Sequence, residues 1–281
     1  MAKIDNGNTT EALKKRWPHG PAFIEQMREK IGPKCIVAFS SGKDAVAMSV
    51  AMKPHFEELI PFCCYYVPGL KIMDEALDYY ETELFGGPII RMPHPVLISW
   101  LAQLRYQTPE SAKRVVAANL PSSITFPGIV AEIEKTHGIE PKTLYAVGAR
   151  SGEFFSRAIQ VKNHGGVWAA SQQWWPVWEK TRQEVLDTIS GAGLKLSREY
   201  DLFQTSFCGL DYGFMERIKR FEPEDWDAIT RTFPLIDAEL QRFDRQSDSE
   251  KRASASRTRA QDAANTVKTV GPARAENSAN D

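Results

Sequence analysis

Residues 35–48 read CIVAFSSGKDAVAM and divide into three parts. Ile36 to Phe39 form an apolar run that is too short for a helix. Small hydroxyl residues and Gly42 follow, and apolar residues then return with helical spacing at Val46 and Val50. The pattern predicts a β-strand, a tight loop and the first turn of an α-helix.

This predicted junction suits an anion, because the first N–H groups of a helix have no partner within the helix and the helix dipole is positive there. Gly42 lets the backbone approach a ligand closely, and Lys43 adds a compact positive charge. The Ser40 and Ser41 hydroxyls can donate to phosphate oxygens. We therefore expect phosphate binding at residues 40–43.

The loop departs from a Walker A motif, which has glycine at the position of Val37 and Ser or Thr at that of Asp44. It resembles the PP-loop, Ser-Gly-Gly-x-Asp-Ser, of the superfamily of ATP pyrophosphatases and phosphoadenosine phosphosulfate (PAPS) reductases. Ser41 stands for the first glycine of that motif and Ala45 for its last serine. An ordinary strand-to-helix turn is the alternative, and the downstream matches count against it.

The composition is that of a globular protein. The 281 residues are 42% hydrophobic and 25% charged, with a net charge of -1, and no apolar run reaches the ~20 residues that span a bilayer. Residues 1–10 are polar, so the absence of a signal peptide predicts a cytoplasmic location. The balanced charge does not indicate a nucleic-acid protein, and four cysteines in so long a chain predict reduced thiols.

Apolar spacing divides the chain into four parts. We expect two short helices over residues 1–33, a nucleotide-binding domain over 34–212, a helical extension broken at Pro223 and Pro234 over 213–243, and a disordered tail over 244–281. Residues 251–259 are locally basic, which leaves a nucleic-acid contact open, although a solvated tail is the simpler interpretation. The predicted fold is a doubly wound, parallel α/β sheet.

Further strands are predicted at residues 59–67, 88–92 and 143–148, with a short one at 166–170. Gly69 follows the first of these, at the sheet edge where ligands bind in open α/β folds. In the PAPS reductase family an Asp-Thr-Gly or similar stands there. Here the acid is missing, and Asp74 or Glu75 could substitute for it. His94 is expected in an exposed bend.

Arg150, Glu153 and Arg157 are spaced by three and four residues after the fourth predicted strand. The spacing predicts that they share one helix face, where two guanidinium groups could grip phosphate or sulfate. A surface Arg-Glu-Arg ladder is the alternative. The stretch resembles the family segment Gly-x-Arg-x-x-Glu-Ser-x-x-Arg, in which Gly148, Arg150, Glu153 and Arg157 match.

Later residues give weaker signals. Trp174, Trp175 and Trp178 could stack on a base, although aromatic clusters more often form core. Residues 208–210 read Cys-Gly-Leu, similar to part of a reductase motif. Asp211 stands three residues after Cys208, and its negative charge would raise the thiol pKa, which disfavours a highly reactive thiol. We therefore expect a buried or structural Cys208, and no iron–sulfur cluster, because the other cysteines lie in predicted strands.

The resemblance implies an adenine-nucleotide-binding enzyme with ATP or PAPS as ligand, Mg²⁺ as a companion of ATP, and no metal-ligating residues of its own. It would either adenylylate a substrate with release of pyrophosphate, or reduce PAPS or adenylyl sulfate to sulfite with a thiol reductant protein as partner. A nucleotide-binding module without turnover is the third interpretation. The implied catalytic residues are Lys43, Asp44, Arg150 and Arg157. The implied nucleotide-binding residues are Phe39, Ser40, Ser41, Gly42, Lys43, Asp44, Ala45, Gly69, Gly148, Arg150 and Glu153.

Overall fold

A computed structural model describes residues 6–121 and 123–244. Within these ranges one six-stranded sheet forms the centre of the molecule. Its strands are β1 (Lys34–Ala38), β2 (Glu58–Tyr65), β3 (Ile90–Pro93), β4 (Tyr145–Val147), β5 (Val167–Trp168) and β6 (Gln173–Trp174).

The strand order is β3-β2-β1-β4-β6-β5, and every neighbouring pair is parallel except β5 with β6. The chain moves outward from β1 in one direction through β2 and β3, and then continues on the other side of β1 with β4. The reversal between β1 and β4 is a topological switch point, where a crevice opens at the carboxyl ends of the strands. The predicted doubly wound α/β fold is confirmed.

Thirteen helices surround the sheet in the described ranges. They are α1 (Asn6–Lys14), α2 (Gly20–Ile31), α3 (Lys43–Met52), α4 (Lys71–Tyr80), α5 (Pro95–Ala102), α6 (Pro109–Ala117), α7 (Phe126–His137), α8 (Phe155–His164), α9 (Arg182–Gly191), α10 (Arg198–Phe203), α11 (Tyr212–Phe221), α12 (Pro223–Thr232) and α13 (Ile236–Asp244). A π-helical turn, Glu81–Phe85, extends α4. Each of these helices is too short or too polar to cross a bilayer.

The two faces of the sheet bury unequal cores. Alternate side chains point to opposite faces of a strand, so Cys35 and Val37 join the larger core, whereas Ile36 joins the smaller one. Helix α7 covers the smaller core, and helices from both ends of the chain contribute to the larger. The N-terminal and C-terminal helices therefore pack into the same core as the sheet.

The sheet has two contrasting edges. Edge strand β3 carries Arg91 and ends at Pro93, whereas edge strand β5 is only two residues long and runs antiparallel to its neighbour. Both edge strands lie at sites where the sequence predicts strands.

Three sequence expectations need correction. Strand β6 was not predicted. His94 is half-buried rather than exposed: its ring stacks on Tyr66 with centroids 4.1 Å apart, and its Nδ1 accepts from the Val96 N–H at 3.1 Å. Helix α8 begins at Phe155, later than expected. The predicted tail lies outside the described residues, apart from Asp244, which ends α13.

Candidate functional site

The loop after β1 forms the expected turn at the switch point. The Phe39 N–H donates to the Phe62 carbonyl oxygen at 2.8 Å, which ties the loop to β2. Ser41 has a φ of 54°, in the left-handed region that side chains other than glycine seldom adopt. Gly42 then caps α3, with a φ of -68°. Residues 39–42 thus connect the carboxyl end of β1 to the first turn of α3.

Two cations share the carboxylate of Asp44 at the start of α3. Lys43 Nζ donates to Asp44 Oδ2 at 2.6 Å, and Arg150 Nε donates to Asp44 Oδ1 at 2.5 Å. The Lys43 side chain is 15% exposed and that of Arg150 is 7% exposed. Because two cations face one carboxylate, the cluster adds positive charge to the positive end of the helix dipole.

Gly148 brings the end of β4 against this helix. A Cβ placed on Gly148 would lie 2.5 Å from the Ala45 backbone nitrogen and 2.7 Å from the Ala45 Cα. The neighbouring atoms are backbone, which cannot rotate away as a side chain could. Only glycine permits this approach, and the approach delivers Arg150, two residues later, to Asp44.

Arg150, Glu153 and Arg157 do not share a helix face, because residues 149–154 precede α8. Arg150 turns inward to Asp44, whereas Arg157 forms an ion pair with Glu153 and lies over the Phe154 ring. The predicted helix start was wrong for a physical reason. The Ser151 N–H donates to the Trp178 carbonyl oxygen at 2.8 Å, so the segment is fixed by tertiary bonds in a loop.

Two implied binding residues can offer only backbone to a ligand. The Phe39 side chain is 1% exposed and packs against the Tyr80 and Phe85 rings. Ala45 is 4% exposed in the larger core. Ser40, by contrast, is exposed at the mouth of the loop.

Residues 197–207 cover the loop from the opposite side. Tyr200 and residues 206–211 match the family resemblance, but the sequence showed neither their contact with the loop nor the part played by Glu199. The Ser41 hydroxyl lies 2.7 Å from Glu199 Oε2, and the Lys43 N–H donates to the Tyr200 hydroxyl at 2.7 Å. Ser206 Oγ lies 3.2 Å from where a Gly42 Cβ would stand. Burial raises the pKa of the Glu199 carboxyl, and burial also raises the pKa of Tyr200 to about 12.

A cavity of about 200 Å³ lies beyond the end of β2, beneath the turn that contains Gly69. Gly69 has a φ of 71°, and Met73, Asp74 and Arg91 are among the lining residues. Burial raises the pKa of Asp74, which faces Arg91 at 3.9 Å. Asp74 is thus the better placed of the two suggested substitutes for the missing acid. Glu75 is exposed and lies 4.0 Å from Arg198.

The tryptophans belong to the core, which makes the base-stacking interpretation wrong. Trp174 and Trp178 are fully buried, and Trp175 is 5% exposed. Trp178 Nε1 donates to the Pro18 carbonyl oxygen at 3.1 Å, so this ring anchors the N-terminal segment.

The cysteines divide by exposure. Cys35 and Cys63 are buried, and burial raises the pKa of Cys35 to about 12. Cys208 is exposed, which contradicts the buried alternative of the expected buried or structural role, and the structural alternative stays a prediction. It lies two residues beyond Ser206, at the edge of the segment over the loop. The absence of an iron–sulfur cluster stays a prediction.

Both oxygens of Asp44 are already engaged by Lys43 and Arg150, so this carboxylate does not fit a protein-held magnesium site. In the described ranges, no three His, Cys, Asp or Glu side chains are grouped to hold a metal ion.

No protein-family model matches the chain, and no curated protein matches it. Among solved structures it is similar to the NH3-dependent NAD synthetase from Campylobacter jejuni, in complex with the nitrate ion. The two share 10% sequence identity at a TM-score of 0.41, over 85% of this chain and 95% of that one. A likeness this weak carries no argument about function.

Proposed function

We propose that this chain is a PP-loop enzyme that binds ATP at the β1–β4 switch point and transfers the adenylyl group to an acceptor, with release of pyrophosphate. One observation carries the proposal: two nearly buried cations, Lys43 and Arg150, meet at the N-terminus of α3. Positive charge held against a helix N-terminus at the carboxyl edge of a parallel sheet suits a polyphosphate.

The phosphates would lie over residues 40–44, beside the exposed Ser40 side chain. Gly148 supports this interpretation indirectly, because its contact with Ala45 keeps the Arg150 loop against α3. Glu153 and Arg157 would border the same crevice from the far side of that loop. Their roles in binding and catalysis remain part of the proposal.

The nucleoside would extend along the sheet edge toward the cavity at Gly69. Its volume, about 200 Å³, is below the range typical of whole drug-sized ligands and suits one flat ring system. Its lining is largely apolar, with the Asp74–Arg91 pair as a polar margin. A base with polar edges and apolar faces matches that chemistry.

In the proposed reaction an oxygen of the acceptor attacks the α-phosphorus of magnesium-bound ATP, and the bond to the β-phosphate oxygen breaks. Negative charge builds on the departing pyrophosphate. Lys43 and Arg150 would stabilise that charge, because cations held in place before the reaction need no reorganisation. Asp44 would keep both cations in position.

Two substitutions in the loop test the proposal. Gly42→Val should block the approach of phosphate, and Lys43→Ala should weaken ATP binding about 10- to 100-fold, the order of one charge-assisted contact. Calorimetry with ATP and Mg²⁺, together with an assay for pyrophosphate release, measures both. Gly152→Ala is the matched control, since a Cβ there meets no atom within 4 Å. Unchanged affinity in both loop variants contradicts the proposal.

The exposure of Cys208 favours a second candidate, reduction of a sulfonucleotide. The Cys208 thiolate would attack the sulfur of PAPS or adenylyl sulfate, and the nucleotide would leave with the bridging oxygen. A thiol of a reductant protein would then form a disulfide with Cys208 and release sulfite. Cys208→Ser decides between the candidates. It should abolish sulfite formation if the protein reduces a sulfonucleotide, and it should leave pyrophosphate release from ATP intact if the protein transfers the adenylyl group.

A further inference from the structure

The turn at Ser41 is unusual for its residue type. Its φ of 54° lies in the left-handed region, and the side chain is fully buried. In this region the Cβ of serine crowds the backbone carbonyl oxygen, whereas glycine has no Cβ. Something in the surrounding structure must therefore hold the residue in this conformation.

Glu199, the second residue of α10, makes the contact that can do so. Its carboxylate is fully buried, and Oε2 lies 2.7 Å from the Ser41 hydroxyl. The carbonyl oxygen of Ser40 also lies within reach of that hydroxyl, at 2.6 Å. A hydroxyl has one proton to donate, and a carboxylate is the stronger acceptor.

The rest of the Glu199 environment fixes the carboxylate. The Ser197 hydroxyl donates to Oε2 at 3.0 Å, and the Phe207 N–H donates to Oε1 at 2.9 Å. These donors are neutral groups, and they come from both ends of the segment over the loop. The carboxylate is thus held rigidly and, being fully buried, cannot touch a ligand in the crevice.

We infer that Glu199 is a positioning residue for the loop after β1 (residues 39–42), which acts by holding Ser41 in the left-handed turn that sets the path of the loop backbone beside the ligand. The inference rests on the proposed function for the ligand, although the effect on the loop is independent of it. Glycine adopts this turn without help, so the role of Glu199 should vanish when residue 41 is glycine.

The test begins with three single variants of the full chain, and a fourth, Glu199→Gln, is added for a double-mutant cycle. Ser41→Ala removes the hydroxyl and keeps the steric penalty, whereas Ser41→Gly removes both. Ser197→Ala is the control, because it deletes another hydrogen bond to the same Oε2 without touching the loop. Hydrogen exchange of the amides of residues 40–46 in the ligand-free protein reports on the loop, calorimetry gives the ATP affinity, and thermal unfolding monitors stability.

We expect Ser41→Ala to speed exchange in the loop and weaken ATP binding about tenfold, the order of one lost charge-assisted hydrogen bond. Ser197→Ala should stay within about threefold of the parent affinity, and Ser41→Gly should lose clearly less affinity than Ser41→Ala, even where the melting temperature falls. Glu199→Gln should weaken binding in the parent and have little further effect in Ser41→Gly, as a double-mutant cycle would show.

Parent-like exchange and affinity in Ser41→Ala would overturn the inference. Equal loss of affinity in Ser41→Ala and Ser41→Gly would also overturn it, since the hydroxyl would then be a direct ligand of phosphate. A parent protein that binds no ATP refutes the proposed function, and the exchange data still decide the role of Glu199. If Glu199→Gln fails to fold, the two Ser41 variants are sufficient.

Discussion

At the scale of single residues, Gly148 shows how one missing side chain sets the site. The end of β4 contacts the backbone of α3 there, and the contact brings Arg150 to Asp44. The sequence motif indicates that glycine belongs at this position. The reason for it, a backbone-to-backbone contact with Ala45, is visible only in three dimensions.

Gly148→Ala should destabilise the fold by about 3 kcal/mol, at the upper end of overpacking costs, because its Cβ would meet backbone atoms at 2.5–2.7 Å. Urea unfolding measures the loss. Gly152→Ala, four residues later in open space, should change the free energy of unfolding by less than about 0.5 kcal/mol. Equal stability of the two variants would show that the end of β4 can move away from α3 without cost.

Substitution by lysine should have different effects at Arg150 and at Arg157. Arg150 is 6% exposed and bonds Asp44 through Nε, so Arg150→Lys should lower both the melting temperature and the ATP affinity. Arg157 is paired with Glu153 at a more exposed position, so Arg157→Lys should leave the melting temperature unchanged. We expect about tenfold slower turnover in Arg157→Lys, because lysine cannot form the two parallel hydrogen bonds to phosphate that an arginine side chain forms. Full turnover in Arg157→Lys would show that the Glu153–Arg157 ion pair has no role in catalysis.

At the scale of elements, the local sequence pattern predicts the long buried strands and the helix that follows the loop after β1. The same pattern does not predict short elements whose formation depends on tertiary contacts. Strand β6 has two residues and exists because it pairs with β4 and β5. Glu199 resembles any polar residue of a short helix, and no spacing rule shows that Ser41, 158 positions earlier, is its partner.

Helix α4 offers a test of the cavity at Gly69. Met73 lines it and is 8% exposed, so Met73→Trp should fill the space with little backbone disturbance. ATP affinity should fall at least about tenfold, the scale of losing a buried ring contact, while pyrophosphate affinity stays unchanged because the loop is intact. Calorimetry with each ligand measures both. If Met73→Trp binds ATP as tightly as the parent, the adenine base does not bind in the cavity at Gly69.

At the scale of the whole molecule, His94 couples stability to pH. It joins β3 to α5, and burial lowers its pKa from 6.5 to about 4. The unfolded chain therefore binds the proton more readily, so stability present above pH 6.5 is lost as the pH falls toward 4. This loss should reach about 2–3 kcal/mol.

Urea unfolding at pH 7 and pH 4.5 measures the effect. His94→Gln should flatten the difference between the two pH values, since glutamine does not titrate and can still accept from the Val96 N–H. His137→Gln, at the end of α7, is the matched control and should keep the parent slope. A parent-like slope in His94→Gln would assign the acid loss to other groups.

The two rims of the sheet also bear on how the protein behaves in a crowded solution. An unpaired strand edge is a template on which another chain can add a strand and start a fibril. On one rim, Arg91 places a charge on β3, and Pro93 has no backbone N–H to donate to an added strand. On the other, β5 offers only two residues, too few for a register to form. The described fold thus carries its own protection against polymerisation through β-pairing.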